Sequence, residues 1–256
     1  MSHEEAEDVL SGALFSLYNL APITLSSAGA LFTYESPDPA ISKVTIRTPD
    51  TDAANWSLHA SSIWAASRFV ADHLDALDEA QGTRTGASAG LPSIVLARKF
   101  PEVSVVASDY PDEDIVRTLS NNVAENGVSG NCRVMPYGWG SDPSALFSPD
   151  GEKFDIVFAA DTLWNTEFHP LFIKALQLTL KKSPHARVYV FAGLHTGRYT
   201  VQSFLNAVSE ADFILETALE RETNGEGQRT WSVDRGEGEE ENERRRWIVC
   251  LTLRWK

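Results

Sequence analysis

The sequence has few of the features that would crosslink the chain or hold it in a membrane. It contains two cysteines, Cys132 and Cys250, and neither has a second metal-binding residue at a useful spacing. No apolar run approaches the roughly 18 residues of a membrane span, and the acidic first ten residues do not resemble a secretion signal. These absences predict buried, reduced thiols, no metal site and a location in the cytosol or nucleus, of which we favour the cytoplasmic one.

Positive charge is also scarce. The 22 lysines and arginines are outnumbered by 36 acidic residues, so the formal net charge is −14. Such a surface repels phosphate backbones and anionic membranes, and we therefore expect neither nucleic acid nor membrane as a partner. A basic protein or a neutral small molecule is compatible with this charge, although acidity also serves solubility alone.

The length of 256 residues and the hydrophobic content of 43% predict one sizeable core. Residues 11–50 carry only weak strand signals, which prolines interrupt. We therefore expect residues 1–55 to form an N-terminal extension with a small hairpin, and residues 56–256 to form the main domain.

From residue 57 onward the chain alternates between helical and strand patterns. The predicted helices, in which apolar residues recur at helical spacing, are Ser57–Leu77, Ser93–Phe100, Asp112–Glu125, Phe168–Lys182 and Val201–Ala211. The predicted strands, which are short apolar runs, are Val103–Ser108, Cys132–Met135, Phe154–Ala160 and Arg187–Phe191. This β-α-β alternation indicates a parallel sheet that is covered on both faces.

The alternation stops near the C-terminus. Phe213–Leu219 and Arg246–Leu253 read as strands with no helix between them, so we expect them to pair as an antiparallel hairpin. The segment Arg221–Arg245 is rich in glycine, glutamate and arginine. Its composition predicts a solvated hairpin loop, with a partner-binding flap as the less favoured alternative.

Ligands of an open parallel sheet bind at the carboxyl ends of its strands, so the residues that follow each strand are the candidates for a site. The segment GASAGLP contains Gly86, Ser88 and Gly90 and leads into a helix. Small residues in that position bring backbone amides close to a ligand at a helix N-terminus. An ordinary loop is the alternative.

Asp109 follows the predicted strand Val103–Ser108. An acidic residue about twenty positions after such glycines commonly binds the two hydroxyls of a ribose. The alternative is that Asp109 caps the next helix, a role for which Asp112 is the stronger candidate.

Asp161 directly follows the buried strand that ends at Ala160. A carboxylate there could orient an amine or accept its proton, or it could simply cap a helix or turn. Trp139 follows the strand Cys132–Met135 and offers either an aromatic surface for a ligand or a core residue. His195 follows the strand Arg187–Phe191 and could line a substrate pocket or lie at the surface.

Four segments in order, GASAGLPS, SDYPD, YGWG and FDIVFAADTLWN, resemble the lysine-methyltransferase-like family that includes the elongation factor 1-alpha N-terminal methyltransferases and nicotinamide N-methyltransferase-like proteins. The likeness covers roughly residues 31–255. It implies an α/β, Rossmann-like class I methyltransferase sheet of seven strands, mostly parallel with a C-terminal antiparallel hairpin. It also implies S-adenosyl-L-methionine as the cofactor.

Carried over by position, the resemblance places the methionine part of the cofactor at Gly86 and Gly90, its ribose at Asp109 and its adenine at Trp139. Ser88 and Ala160 are expected to be neighbouring contacts. The catalytic residue that it implies is Asp161. Trp64 and Trp164 are expected to wall the substrate pocket together with His195, and the implied reaction is N-methylation of a protein amine or a small amine.

The sequence departs from the family pattern immediately before the glycine loop. The family has an apolar strand that ends in an acidic residue, whereas this chain has Asp78–Thr85, which contains no apolar β-branched residue. We therefore expect the first strand to be short, displaced or absent. The same departure supports a rival interpretation, a non-catalytic protein that keeps the methyltransferase sheet as a scaffold for a partner.

More distant alternatives are a small-molecule O-methyltransferase and a serine hydrolase. The hydrolase hypothesis rests on the G-x-S-x-G pattern at Gly86–Gly90, with Asp161 and His195 following in the order of an α/β-hydrolase triad. It requires a strong buried strand directly before the serine, and the sequence does not predict one.

Overall fold

The computed structural model describes residues 22–50, 58–74, 83–86 and 89–256. Its strands are β1 (Leu31–Tyr34), β2 (Val44–Arg47), β3 (Thr83–Gly86), β4 (Val105–Asp109), β5 (Cys132–Pro136), β6 (Ile156–Ala160), β7 (Arg187–Gly193), β8 (Phe213–Glu222), β9 (Gln228–Thr230) and β10 (Trp247–Trp255). Its helices are α1 (Ala65–Asp72), α2 (Leu91–Lys99), α3 (Glu113–Glu125), α4 (His169–Thr179), α5 (Arg198–Glu210) and α6 (Glu241–Arg245).

Eight strands form the main sheet, in the order β5-β4-β3-β6-β7-β10-β8-β9. The first five are parallel, and β10 runs antiparallel to both β7 and β8. This confirms the predicted class I methyltransferase sheet with a C-terminal antiparallel pair. The short strand β9 adds an eighth member by pairing antiparallel with β8 at the edge.

Alternate residues of the central strands enter two different hydrophobic clusters. On β6, Ile156 and Phe158 pack in the cluster that includes α1 and α2, whereas Val157 and Ala159 pack in the one that includes α4 and α5. Because successive side chains of a strand point to opposite faces, the sheet is covered on both faces, as the apolar runs predict.

The predicted small hairpin is present as β1 and β2 and packs against the same core as the main sheet. Val44 and Ile46 are fully buried in the cluster that includes α1 and α2. Asn122 of α3 accepts a hydrogen bond from Arg47 N and donates to Arg47 O, each at 2.8 Å. This side chain satisfies backbone groups at the free edge of β2, which would otherwise remain open to other strands.

The strand before the glycine loop is present but short. β3 pairs in parallel with β4 on one side and with β6 on the other, so that Thr85 lies opposite both Ala107 and Phe158. Of the three outcomes that the polar sequence predicts, the structure shows the short strand. The preceding residues 75–82 lie outside the described residues.

Two constraints favour glycine at position 90: a left-handed backbone conformation and the close approach of Leu119. It caps the N-terminus of α2 with φ 89°, in the left-handed region that favours glycine. A Cβ at this position would lie 2.5 Å from Cδ1 of Leu119, which is fully buried on α3. Gly90 therefore sets how closely the N-terminus of α2 approaches α3.

We expect Gly90→Ala to lower the free energy of unfolding by ~1–3 kcal/mol more than Gly127→Ala. Both glycines have positive φ, but a Cβ at Gly127 would meet nothing within 4 Å. The difference between the two variants in urea denaturation isolates the cost of overpacking against Leu119. Equal losses would mean that Leu119 moves aside and that the close approach is unimportant.

The prediction of a solvated loop at Arg221–Arg245 is wrong. This segment contains β9, a short 3-10 helix at Val233–Gly236 and α6. Three of its charged side chains join a buried cluster, namely Arg229, Arg235 and Glu239. Arg198 of α5 and Glu220 of β8 lie at its centre, and neither side chain is exposed. Some of the charged side chains that predicted a solvated loop therefore form ion pairs inside the protein.

Across the described residues, no helix combines the length and the apolar character needed to cross a membrane. Cys132 and Cys250 are both free thiols. Burial raises the pKa of Cys132 to about 11 and that of Cys250 to about 12, so both thiols stay protonated at neutral pH.

Candidate active site

A cavity of about 250 Å³ opens at the carboxyl ends of the parallel strands and extends beneath α4. Seven of the ten residues proposed from the sequence line it: Trp64, Asp109, Trp139, Ala160, Asp161, Trp164 and His195. These residues come from five separate segments of the chain, and all but Trp64 lie at the end of, or after, parallel strands that end at the same edge of the sheet.

Asp109 is the last residue of β4 and lies half-buried at the cavity. Its Oδ1 accepts a hydrogen bond from Tyr110 N at 2.7 Å. The capping alternative is wrong, because Asp112 accepts from the amides of Asp114 and Ile115, both at 3.0 Å, and so caps α3. Asp112, and not Asp109, therefore caps α3, and Asp109 lines the cavity.

Trp139 lies beyond the end of β5 and forms an aromatic side of the cavity. Its ring centroid is 4.8 Å from that of Phe172 and 6.2 Å from that of Trp164. The interpretations as a ligand surface and as a packing residue are thus compatible, because the ring packs on α4 and still lines the cavity. Ala160, at the end of β6, also lines the cavity and directly precedes Asp161.

Asp161 directly follows β6, lines the cavity and accepts hydrogen bonds from β7 and α1. It has φ 51°, a conformation that non-glycine residues seldom adopt. Its Oδ1 accepts from Gly193 N at 2.6 Å, and its Oδ2 accepts from Ala66 N at 3.2 Å. Ala66 lies in the first turn of α1, so the predicted capping role is real, although the capped helix comes from a distant part of the chain.

Burial raises the pKa of Asp161, and nearby His195 and the amides of Gly193 and Ala66 oppose that shift. The amides favour the charged carboxylate because they hydrogen-bond to it directly. A backbone at φ 51° and a partly buried carboxylate with a raised pKa are features that cluster at functional sites.

Further aromatic rings line the cavity beside Trp164. The ring of His195 is stacked on Trp64, with centroids 4.8 Å apart and planes at 26°. His59 makes edge contacts with Trp64 and with Trp164, and its carbonyl accepts a hydrogen bond from Trp64 Nε1 at 2.8 Å. His59 could not be predicted from the sequence, because it lies in an irregular segment before α1 and has no motif around it.

His195 does not form a catalytic triad with Asp161. Both carboxylate oxygens bind backbone amides, and His195 Nδ1 is buried without a hydrogen-bond partner among the described residues. An α/β-hydrolase triad needs that hydrogen bond to orient the histidine. The geometry therefore argues against the serine-hydrolase alternative.

Three residues predicted for the cofactor loop do not appear at the cavity in the described part of the structure. Gly86 ends β3 opposite Ser108, Gly90 packs against Leu119, and Ser88 lies outside the described residues. The roles proposed for them toward the methionine part of the cofactor stay predictions.

The donor set at this cavity fits S-adenosylmethionine. A half-buried carboxylate at the end of β4 suits a ribose, and an indole after β5 suits a flat base. The small Ala160 and the acidic Asp161 line the same cavity. A cationic sulfonium bound there would be attracted by the negative charge of the Asp161 carboxylate.

Residues 54–211 match the sequence profile of a family described as lysine methyltransferase. Over 178 residues the chain is 30% identical to the protein N-terminal and lysine N-methyltransferase efm7 of Schizosaccharomyces pombe, a match that covers 64% of this chain and 68% of that protein. It is 26% identical over 243 residues to the protein of the same name from Neurospora crassa, covering 86% and 83% of the two chains.

Solved structures agree on the fold. The O-methyltransferase TomG of Streptomyces achromogenes superimposes with a TM-score of 0.51 at 16% identity, over 100% of both chains. The cofactor-bound Rv0187 from MTB gives a TM-score of 0.50 at 19% identity and covers 80% of this chain and 90% of that one. At these identities the likeness establishes a shared fold and nothing about the acceptor.

Proposed function

Because the chain belongs to the lysine methyltransferase family, we propose that it transfers a methyl group from S-adenosylmethionine to an amine of a protein. The observation that carries this proposal is that Asp109 and Asp161 line one cavity. A carboxylate at the position of Asp109 suits a ribose, and one at the position of Asp161 suits an amine. Relatives whose names specify a protein N-terminus and lysine support these two acceptors.

On the cofactor side, we assign Asp109 to both ribose hydroxyls and Trp139 to the adenine. When bound, the cofactor would supply an electrophilic methyl group on a sulfonium. Ala160 would leave room in the cavity for it, because its side chain is a single methyl. The protein's contribution is mostly positional, since holding two reactants in line converts a bimolecular step into an effectively unimolecular one.

On the acceptor side, Asp161 attracts the amine and orients it. Trp64, Trp164 and His195 form the walls around it and exclude water. An aromatic wall suits a cationic amine before transfer and a methylated one after it, because both are attracted to the ring faces. We propose that this is the pocket for the side chain or N-terminus that receives the methyl group.

The acceptor protein that we propose is basic. The formal net charge of −14 favours such a partner and disfavours nucleic acid or an anionic membrane. We propose a cytoplasmic location, which the two free cysteines support because reduced thiols persist in that compartment.

We expect purified protein to bind S-adenosylhomocysteine with a dissociation constant in the micromolar range, about −8 kcal/mol, in isothermal calorimetry. Incubation with S-adenosylmethionine should then add methyl groups to a basic peptide that has a free N-terminus and a lysine, as read by mass spectrometry. A free heteroaromatic amine and a phenol serve as the small-molecule and oxygen-acceptor comparisons.

A flat calorimetric titration at millimolar ligand would favour the scaffold interpretation. Methylation of the phenol alone, with none on the peptide, would overturn the choice of a protein amine while leaving the enzyme class intact. Each outcome therefore removes a different part of the proposal.

A further inference from the structure

The imidazole of His195 and the carboxylate of Asp161 flank the same point of the backbone. A Cβ added at Gly193 would lie 3.0 Å from His195 Nδ1 and 3.2 Å from Asp161 Oδ1. Glycine at the end of β7 thus allows both polar groups to lie over the same short stretch of strand. Nδ1 is enclosed there without a hydrogen-bond partner among the described residues.

Among the described residues, Trp64, Asp161, His59 and Arg245 act on the His195 ring. Trp64 is stacked on it, Asp161 lies on the Nδ1 side, and His59 and Arg245 act on it electrostatically from the segment before α1 and from α6. Burial lowers the pKa of His195 below its ordinary 6.5, the Asp161 carboxylate opposes that shift, and His59 and Arg245 add to it. The ring is therefore neutral at neutral pH and can accept a proton.

Asp161 is the less suitable proton acceptor of the pair. Its two oxygens already accept hydrogen bonds from Gly193 N and Ala66 N. Protonating the carboxylate would weaken the links that hold β6, β7 and α1 together. Protonating His195 would instead create an imidazolium next to an anionic carboxylate, which is a favourable arrangement of charge.

We propose that His195 is the catalytic residue that takes the proton from the acceptor ammonium, with Asp161 stabilising the imidazolium that forms. This rests on the proposed function and deepens it. Since Nδ1 is enclosed beside Asp161, the nitrogen that receives the proton is Nε2 on the opposite side of the ring.

The step balances without a further reactant. The N–H bond of the ammonium breaks, its proton forms an N–H bond at Nε2, and the electron pair stays on the amine nitrogen. That pair forms the bond to the methyl carbon as the carbon–sulfur bond breaks and its electrons remain on sulfur. His195 then releases the proton to solvent.

The pH dependence of peptide methylation tests this role. If neutral His195 takes the proton, the acceptor amine can bind as an ammonium and does not have to be neutral beforehand. In the parent, the acid limb of kcat/KM should follow His195 and lie below pH 6.5. In His195→Phe, which keeps a ring on Trp64, the limb should move to the pKa of the amine itself, roughly 7.7–8.0 for an N-terminus and 10.4 for lysine. For the N-terminal acceptor, the loss should be about tenfold or more at pH 7 and should shrink above pH ~8.

The matched control is His73→Phe. His73 is also stacked on an aromatic ring, that of Phe69, but lies on the far end of α1 and should keep the parent profile. Calorimetry with S-adenosylhomocysteine should give parent affinity for both variants. Imidazole added to His195→Ala should restore part of the rate at pH 7.

A readout independent of turnover is the NMR titration of His195 in the S-adenosylhomocysteine complex. Its pKa should lie below 6.5 in the parent and lower still in Asp161→Asn, which loses the opposing carboxylate. A value at or above 6.5 in the parent, or an unshifted acid limb in an active His195→Phe, overturns the role of His195. Absence of cofactor binding or of any transfer by the parent would instead contradict the proposed function.

Discussion

Replacing Asp109 by alanine should weaken the binding of S-adenosylhomocysteine by at least tenfold and leave the fold intact. A carboxylate that accepts from both ribose hydroxyls makes two hydrogen bonds to a charged group, each worth ~1.5–3 kcal/mol before non-additivity. The structure adds a reason for the small effect on stability. Within the described residues, α3 is capped by Asp112, so removing the Asp109 side chain does not uncap it.

Asp112→Ala is the matched control, since it removes a carboxylate from the same loop, three residues after Asp109. Loss of the cap should lower the free energy of unfolding by ~1 kcal/mol in urea denaturation and barely alter affinity in calorimetry. The two variants should thus show opposite patterns. Unchanged affinity in Asp109→Ala, with the parent binding normally, would end the ribose assignment and weaken every role carried over by position.

The alternation of strands and helices could be predicted from the sequence because most buried strands are apolar throughout. Ile156–Ala160 is the clearest case, with both faces covered and every residue but the last buried. The helix predicted over Ser57–Leu77 begins only at Ala65 and ends at Asp72. The other helix positions followed from the spacing of apolar residues, and their ends differed by a few residues because capping decides where a helix begins and ends. Asp112 illustrates this, since it precedes α3 as its cap and is not part of it.

The position of the polar strand β3 could not be predicted from its own composition. Thr83–Gly86 has no apolar residue, yet it pairs with β4 and β6 at the centre of the sheet. Its place is fixed by backbone hydrogen bonds to strands on both sides, and those strands are far away in sequence. A local reading of composition cannot detect this, because the neighbours rather than the segment supply the stabilisation.

Most of the candidate site could be predicted because the position of a residue after a strand determines the edge to which it projects. That argument selected Asp109, Asp161 and His195, which all line the cavity. It could not select His59, which follows no strand. It also could not show that Asp161 caps α1, because Ala66 lies 95 residues earlier in the chain.

The buried charge cluster was missed for the same physical reason. Arg198 donates to Glu220, 22 residues away, and to Glu239, 41 residues away. Charges at such separations look like independent solvated side chains in the sequence. Only after α5 and β8 have packed do they become partners, and the segment after β8 is then held against α5.

Glu220→Gln should give the largest loss of stability, ~3–5 kcal/mol, because it leaves buried cationic groups without their counter-charge. The Glu220 carboxylate accepts from Arg198 at 2.7 and 2.9 Å, from Arg229 at 2.8 Å and from Arg235 at 2.7 Å. Burial acts to raise the pKa of Glu220, but the hydrogen bonds from Arg198 and Arg229 outweigh it, so the net shift is downward.

The downward shift fixes the sign of the pH dependence. A carboxylate with a lowered pKa in the folded state stabilises the protein fully above its ordinary value of 4.5, and this contribution is lost as the pH falls through the folded value. The stability difference between the parent and Glu220→Gln in urea denaturation should therefore be constant at neutral pH and shrink in acid.

The control is Glu216→Gln on the same strand, where Glu216 accepts two hydrogen bonds from Arg187 at the surface. An exposed pair of this kind contributes ~0–1 kcal/mol, so this variant should stay close to the parent. Limited trypsin digestion at neutral pH should cleave after Arg229, Arg235 or Arg244 faster in Glu220→Gln than in Glu216→Gln. Equal unfolding free energies for the two variants would show that the segment after β8 is held by its apolar contacts, such as Trp231 and Trp247, and not by the buried charges.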